Sequence, residues 1–210
     1  PAAKGSVVHD EPPTMAALLD AYREQRCVPA NLRPRFVTHA NLAGDKRLES
    51  IVLLGSELVV MGEGYRNGEG YFYFGLPVRD PSHVLRVFTA DVTGDGRREI
   101  FVRIKQLIGD VQRELLLGYT FEGETLRPIL TTEVRRARGE QSIGNIVSLV
   151  KRRGHFALRI EPGVAQGWDA ANYPFAQSVE EETAPLLLPW QDAPSDFDYD
   201  GSRLRPNRSN

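Results

Sequence analysis

The stretch "FTADVTGDGRREIFVRI" (88–104) sets two β-like runs on either side of a turn dense in acids and glycines. Its reading decides the fold. "THANLAGDKRLESIVLL" (38–54) aligns with it without gaps, placing Asn41 on Asp91, Gly44 on Gly94, Asp45 on Asp95 and Glu49 on Glu99. Self-similarity of this kind is the signature of a repeated supersecondary unit. A second pair supports it: "YTFEGETLRP" (119–128) and "FDYDGSRLRP" (197–206) share the frame aromatic, any, aromatic, acid, Gly, two variable residues, Leu-Arg-Pro. Each of these reads as a β-hairpin turning at Glu122-Gly123 or Asp200-Gly201.

Working outward, short runs of β-formers alternate with Gly-rich turns from Arg35 onward. In "IFVRIKQ" (100–106) Phe101, Arg103 and Lys105 face one way and Ile100, Val102 and Ile104 the other, as in a half-buried antiparallel strand. The expectation is an all-β fold of three blade-like antiparallel units, at about 35–78, 84–135 and 145–206. They would form a propeller-like or open propeller array, or a distorted sandwich of the same hairpins. One helix precedes them, "TMAALLDAYREQRC" (14–27), with Thr14 as N-cap and Met15, Leu18, Leu19 and Tyr22 on one face. Residues 1–13 read as a flexible lead, 14–206 as one β-rich domain and 207–210 as a disordered tail. The start without Met is consistent with a trimmed chain or a mature form whose leader is gone.

Composition narrows the function. The chain has 210 residues, 41% hydrophobic and 26% charged, with a net charge of −2. That balance provides no global field for nucleic acid or an anionic membrane. No window approaches the roughly 20 apolar residues that span a bilayer. Cys27 is the single cysteine, so there is no intrachain disulfide framework, and it reads as a structural thiol. The four histidines show no metal-binding spacing, and there is no nucleophile elbow or phosphate loop.

In "DVTGDGRRE" (91–99) side-chain oxygens stand at Asp91, Thr93, Asp95 and Glu99, and the Arg97 carbonyl adds another. Calcium takes about six to eight such oxygens. The alternative is a metal-free turn in which Asp91 caps backbone amides. An EF-hand is excluded, because the twelfth position is Val102 inside a β-run.

These residues resemble the FG-GAP or VCBS-type repeat, whose hallmark is an Asp-x-Asp/Asn-x-Asp-Gly-x-x-Asp/Glu loop before a hydrophobic strand. Such repeats form blades of β-propellers in integrin α-chains and in bacterial extracytoplasmic proteins, and bind calcium between the first two strands. The resemblance implies Asp91, Thr93, Asp95, the Arg97 carbonyl and Glu99 as ligands. Thr93 departs from the pattern. The copy with Asn41, Asp45 and Glu49 is degenerate, with Ala43 at the third position and Lys46 in place of Gly, so metal is not expected there. Three units also fall short of the roughly four to eight blades of a closed propeller.

The stretch 159–190 holds a long segment of little strand character, with Trp168, Tyr173 and Phe175 in it and Trp190 at its end. The rings could contact a partner or plug one end of the β-core. Glu180–Glu182 and the basic run "EVRRAR" (133–138) read as solvated. The resulting expectation is a noncatalytic, secreted, periplasmic or cell-envelope domain of bacterial type, calcium-stabilised, recognising a protein or polysaccharide. The alternative is a secreted glycan or peptide hydrolase with its site under the 161–184 segment, using Asp169 with Glu161 or Asp192.

Overall fold

The computed structural model describes residues 14–45, 47–62, 65–123, 125–175 and 183–207. They form one α-helix, two single-turn 3-10 helices and three antiparallel sheets, so the chain is mostly β. The helix, α1 (Met15–Arg26), starts where Thr14 accepts a hydrogen bond from the Ala17 amide, and ends at Cys27, whose φ of 52° closes the last turn. Cys27 is exposed.

The first sheet orders β1 (Phe36–Ala40), β2 (Glu49–Leu54), β3 (Glu57–Met61) and β4 (Tyr71–Gly75) consecutively. The second runs β12 (Ala165–Gln166), β9 (Gln141–Gly144), β8 (Thr125–Arg138), β7 (Val111–Glu122), β6 (Glu99–Ile108), β5 (Val84–Ala90). The third orders β10 (Ile146–Lys151), β11 (Phe156–Glu161), β13 (Ser195–Tyr199) and β14 (Leu204–Asn207). The two matched segment pairs keep one register each. Ala40 faces Glu49 as Ala90 faces Glu99. Tyr119 faces Pro128 as Phe197 faces Pro206, and Phe121 faces Leu126 as Tyr199 faces Leu204.

Alternation explains how the sheets pack. In β2 and β3 the odd set Ile51 and Leu53 with the even set Leu58 and Val60 meets the second sheet. Val52, Leu54, Val59 and Met61 point the other way, onto Leu18 and Tyr22 of α1. The second sheet is likewise apolar on both faces. Ile100, Val102, Ile104, Leu115 and Leu117 join the first core, while Phe101, Leu116 and Leu130 pack on Leu158, Ile160 and Phe197 of the third sheet. Gly118 leaves room for that second core: a Cβ there would stand 2.9 Å from the Phe101 ring and 3.0 Å from Leu130 Cβ. The third sheet is apolar on one face only. Arg159 pairs with Asp196 and Asp198 with Arg205 in register on the other. The series therefore begins under a helix and ends on a polar face.

Four features differ from the sequence reading. The middle sheet has six strands, because β8 runs on to Arg138 and is joined by β9 and by β12, drawn from the 161–184 segment. The run 133–138 is not a solvated edge. It lies between β7 and β9, where Glu133, 1% exposed, accepts from Arg113 and Arg136. Neutralised by these partners, the charges are accommodated inside the sheet. "PLLLPW" (185–190), which looks strand-like, holds no strand, the bridge of Ala184 to Thr132 lying just before it, and Asn207 belongs to β14 rather than to a tail. Residues 1–13, 180–182 and 208–210 lie outside the described residues. Among the described residues no helix is long and apolar enough to cross a membrane.

Candidate functional site

Each acidic loop links the first two strands of its sheet. In 91–99 the Asp91 carboxylate accepts from the Gly94 and Gly96 amides at 2.7 and 3.1 Å. Both glycines have positive φ, 82° and 83°, a left-handed geometry that other residues adopt at a cost. Asp95 accepts from the Arg97 amide and Nε at 2.8 and 2.7 Å. Glu99, 1% exposed at the start of β6, reaches back to the Val92 amide at 2.8 Å and the Thr93 hydroxyl at 3.2 Å.

The 41–49 loop repeats this wiring. Asn41 accepts from Gly44, Asp45 from the amide and Nε of Arg47, and Glu49 from the Leu42 amide. The third position makes the difference. Ala43 has no hydroxyl, and Glu49 Oε1 is buried without a hydrogen-bond partner. Lys46 lies outside the described residues.

Electrostatics sharpen the contrast within the loop. Burial raises the Glu99 carboxyl to about 7; the Val92 amide opposes the rise, and the nearby Asp95 and Asp91 charges add to it. Burial also pushes Asp95 upward, but its ion pair and hydrogen bonds with Arg97 outweigh that and hold it below the ordinary range. The five positions expected as calcium ligands are thus brought into one loop, with Asp91, Thr93, Asp95 and Glu99 engaged by the loop's own donors. The guanidinium of Arg97 occupies the cationic role beside Asp95, as Arg47 does beside Asp45. No group of three or more His, Cys, Asp or Glu side chains among the described residues is arranged to hold an ion. The carboxylates fit calcium only if Asp95 leaves Arg97.

The loops also join the sheets. The Asn41 carbonyl accepts from the Arg98 amide of the second sheet's loop at 2.8 Å, and the Asp91 carbonyl accepts from Phe156 of the third sheet at 2.8 Å. Gly44 lies against the Arg97 side chain, the residue before the first donor. Gly94 lies against His155, the residue before the second. Sequence alignment of the loops could not reveal this relation, because the 152–155 turn has lost the acidic pattern.

The aromatic segment forms its own small core. Trp168 is 4% exposed and meets Tyr173 and Phe175 edge-on at 5.5 and 5.6 Å, and Tyr173 meets Trp190 at 5.6 Å. Ile143, Leu186 and Leu188 complete the cluster. Arg136 lies over Phe175 at 4.8 Å and donates to the Tyr173 hydroxyl. The rings face one another and the edge of the second sheet, with Trp168 buried and Tyr173, Phe175 and Trp190 half-buried around it.

Two of the three carboxylates considered for hydrolysis, Asp169 and Asp192, are occupied locally. Asp169 accepts from the Ala171 and Asn172 amides, and Asp192 from the Leu188 amide. Asp192 lines an open cleft of about 660 Å³ together with Asp196. Asp196 is held below the usual range by hydrogen bonding to Arg159. A glycosidic acid needs the opposite shift. Comparison of the chain with protein-family models, with curated proteins and with solved structures returned no match.

Proposed function

We propose that this chain is a noncatalytic, extracytoplasmic interaction domain of bacterial type, a short propeller-like array of three blade-like units resembling FG-GAP/VCBS repeats. Its partner is a protein or a cell-surface polysaccharide. One observation carries the reading: a backbone bond from the first loop of one sheet to the residue at or just before a strand of the next occurs at both sheet junctions, Asn41 to Arg98 and Asp91 to Phe156. A series that repeats its joint, starts under α1 and ends on a polar face matches the logic of capped repeat arrays, which present extended surfaces for recognition. The test is retention of the chain on a panel of immobilised polysaccharides and envelope proteins, with reducing ends and new N-termini assayed in parallel. Saturable retention without cleavage is expected. Turnover that vanishes in Asp169→Asn or Asp192→Asn would replace this reading with the hydrolase.

A second reading, calcium at 91–99, is favoured by Glu99. A buried carboxyl raised to about 7 next to two further acids is a group that a cation would relieve. Asp91, Thr93, Asp95, the Arg97 carbonyl and Glu99 would hold the ion, with Asp95 exchanging Arg97 for it. Thermal melting in calcium and in chelator tests this. Stabilisation of about 2.7 kcal/mol at a hundredfold excess over Kd is expected, lost in Asp95→Ala. An unchanged melt across millimolar calcium would leave the arginine-filled loop as the whole story.

A further inference from the structure

A second place in the fold concentrates unbalanced charge. Between the second and third sheets lies a cavity of about 260 Å³ lined by Arg86, Phe88, Arg103 and Leu116 on one side and by Val147, Ser148 and Leu149 of β10 on the other. Arg86 and Arg103 are directly opposite partners in the β5–β6 ladder. Directly opposed residues of an antiparallel pair project from the same face, and like charges there are destabilising. The pairing slips between Val84 and Arg86, an irregularity of the kind that re-aims side chains near sites.

The surrounding acids do not balance this pair. Arg103 pairs with Glu114 at 2.7 Å, but Glu114 also takes Arg135 at 3.3 Å. Arg86 has no carboxylate partner among the described residues; its guanidinium lies 5.3 Å from the Phe88 ring centroid. Phe88 in turn stacks on Phe101 at 5.0 Å, which fixes the ring that holds Arg86. The cavity therefore combines an uncompensated guanidinium, a second one beside it and an apolar wall.

We infer that this cleft binds a small organic anion, with a carboxylate or phosphate head between Arg86 and Arg103 and a compact apolar body against Phe88, Leu116, Val147 and Leu149. An anion there removes the repulsion of the opposed arginines and meets the planar fork that suits oxyanions. The volume lies below that of drug-sized pockets, which limits the ligand to about the size of one substituted ring. This inference is independent of the interaction-domain reading, since neither the loop joints nor a macromolecular partner enters it.

The test is titration with benzoate and phenyl phosphate, with benzyl alcohol as the uncharged control, at constant ionic strength. Binding is followed by NMR shifts of the Val147, Ser148 and Leu149 amides and the Arg86 and Arg103 Nε–H signals. Saturable shifts with either anion and none with benzyl alcohol are expected. Arg86→Gln should weaken binding at least tenfold, whereas Arg138→Gln, at an ion pair with Asp110 elsewhere, should leave it unchanged. Because Arg86 is exposed and opposed by a like charge, Arg86→Gln should melt no lower than the parent chain in the absence of anion. Shifts that chloride reproduces, or binding that survives Arg86→Gln, would overturn the assignment. A lower melting temperature in that variant would do the same, by giving Arg86 a structural role.

Discussion

Glu99→Gln at two pH values is the sharpest perturbation of the loop. In the folded chain the Glu99 carboxyl is raised from 4.5 to about 7, chiefly by burial. The folded state then holds this proton more tightly than the unfolded chain does. The contribution of Glu99 to stability is therefore complete below about pH 4.5, declines as the pH rises through 7, and is constant above. A shift of about 2.5 pH units at roughly 1.4 kcal/mol each amounts to about 3 kcal/mol lost between the two limits. That is a large part of the 5–15 kcal/mol or so that stabilises a typical domain. Gln keeps an oxygen for the Val92 amide and offers its NH₂ to Thr93, but cannot ionise. Urea unfolding of both proteins in chelator at pH 5 and pH 8 measures the difference. At pH 5 the two should be nearly equal; at pH 8 the variant should be more stable by up to about 3 kcal/mol. A parent–variant difference that does not change between these pH values, or a variant less stable than the parent at pH 8, would refute the assigned burial and proton linkage. If calcium binds the loop, millimolar calcium at pH 8 should raise the parent and not the variant.

Two further outcomes follow from the packing. Ala43→Thr supplies the hydroxyl that Glu49 Oε1 lacks and that Thr93 provides to Glu99 in the other loop; a gain of about 1–2 kcal/mol in chemical denaturation is expected, and a loss would mean that the two loops differ in shape. Trp168→Ala empties the centre of the Ile143–Leu186–Leu188 cluster and should cost about 3–5 kcal/mol; a cost below about 1 kcal/mol in the same assay would return Trp168 to the role of a surface contact.

What was legible in the sequence was what local chemistry controls. Period-two alternation and turn residues specify strands and hairpins within a few positions, so β6, β7, β13 and the helix cap at Thr14 lie where the pattern puts them. The gapless matches also correspond to equal registers in the fold, because a hairpin's register follows from its turn. The Ala43-for-Thr93 difference was visible too, though only the folded loop converts it into an orphaned oxygen. Tertiary structure alone decided the rest. Pairing of β9 and β12 with the second sheet depends on backbone partners distant along the chain, which carry no local signal. Burial of Glu133 between Arg113 and Arg136, and the setting of Arg86 beside Arg103 on one wall of a cleft closed by β10, likewise arise when strands are laid side by side and sheets are stacked. A residue's type limits which partners it can accept, but the partner it meets, and hence its charge state and chemistry, is set by neighbours that the chain order does not name.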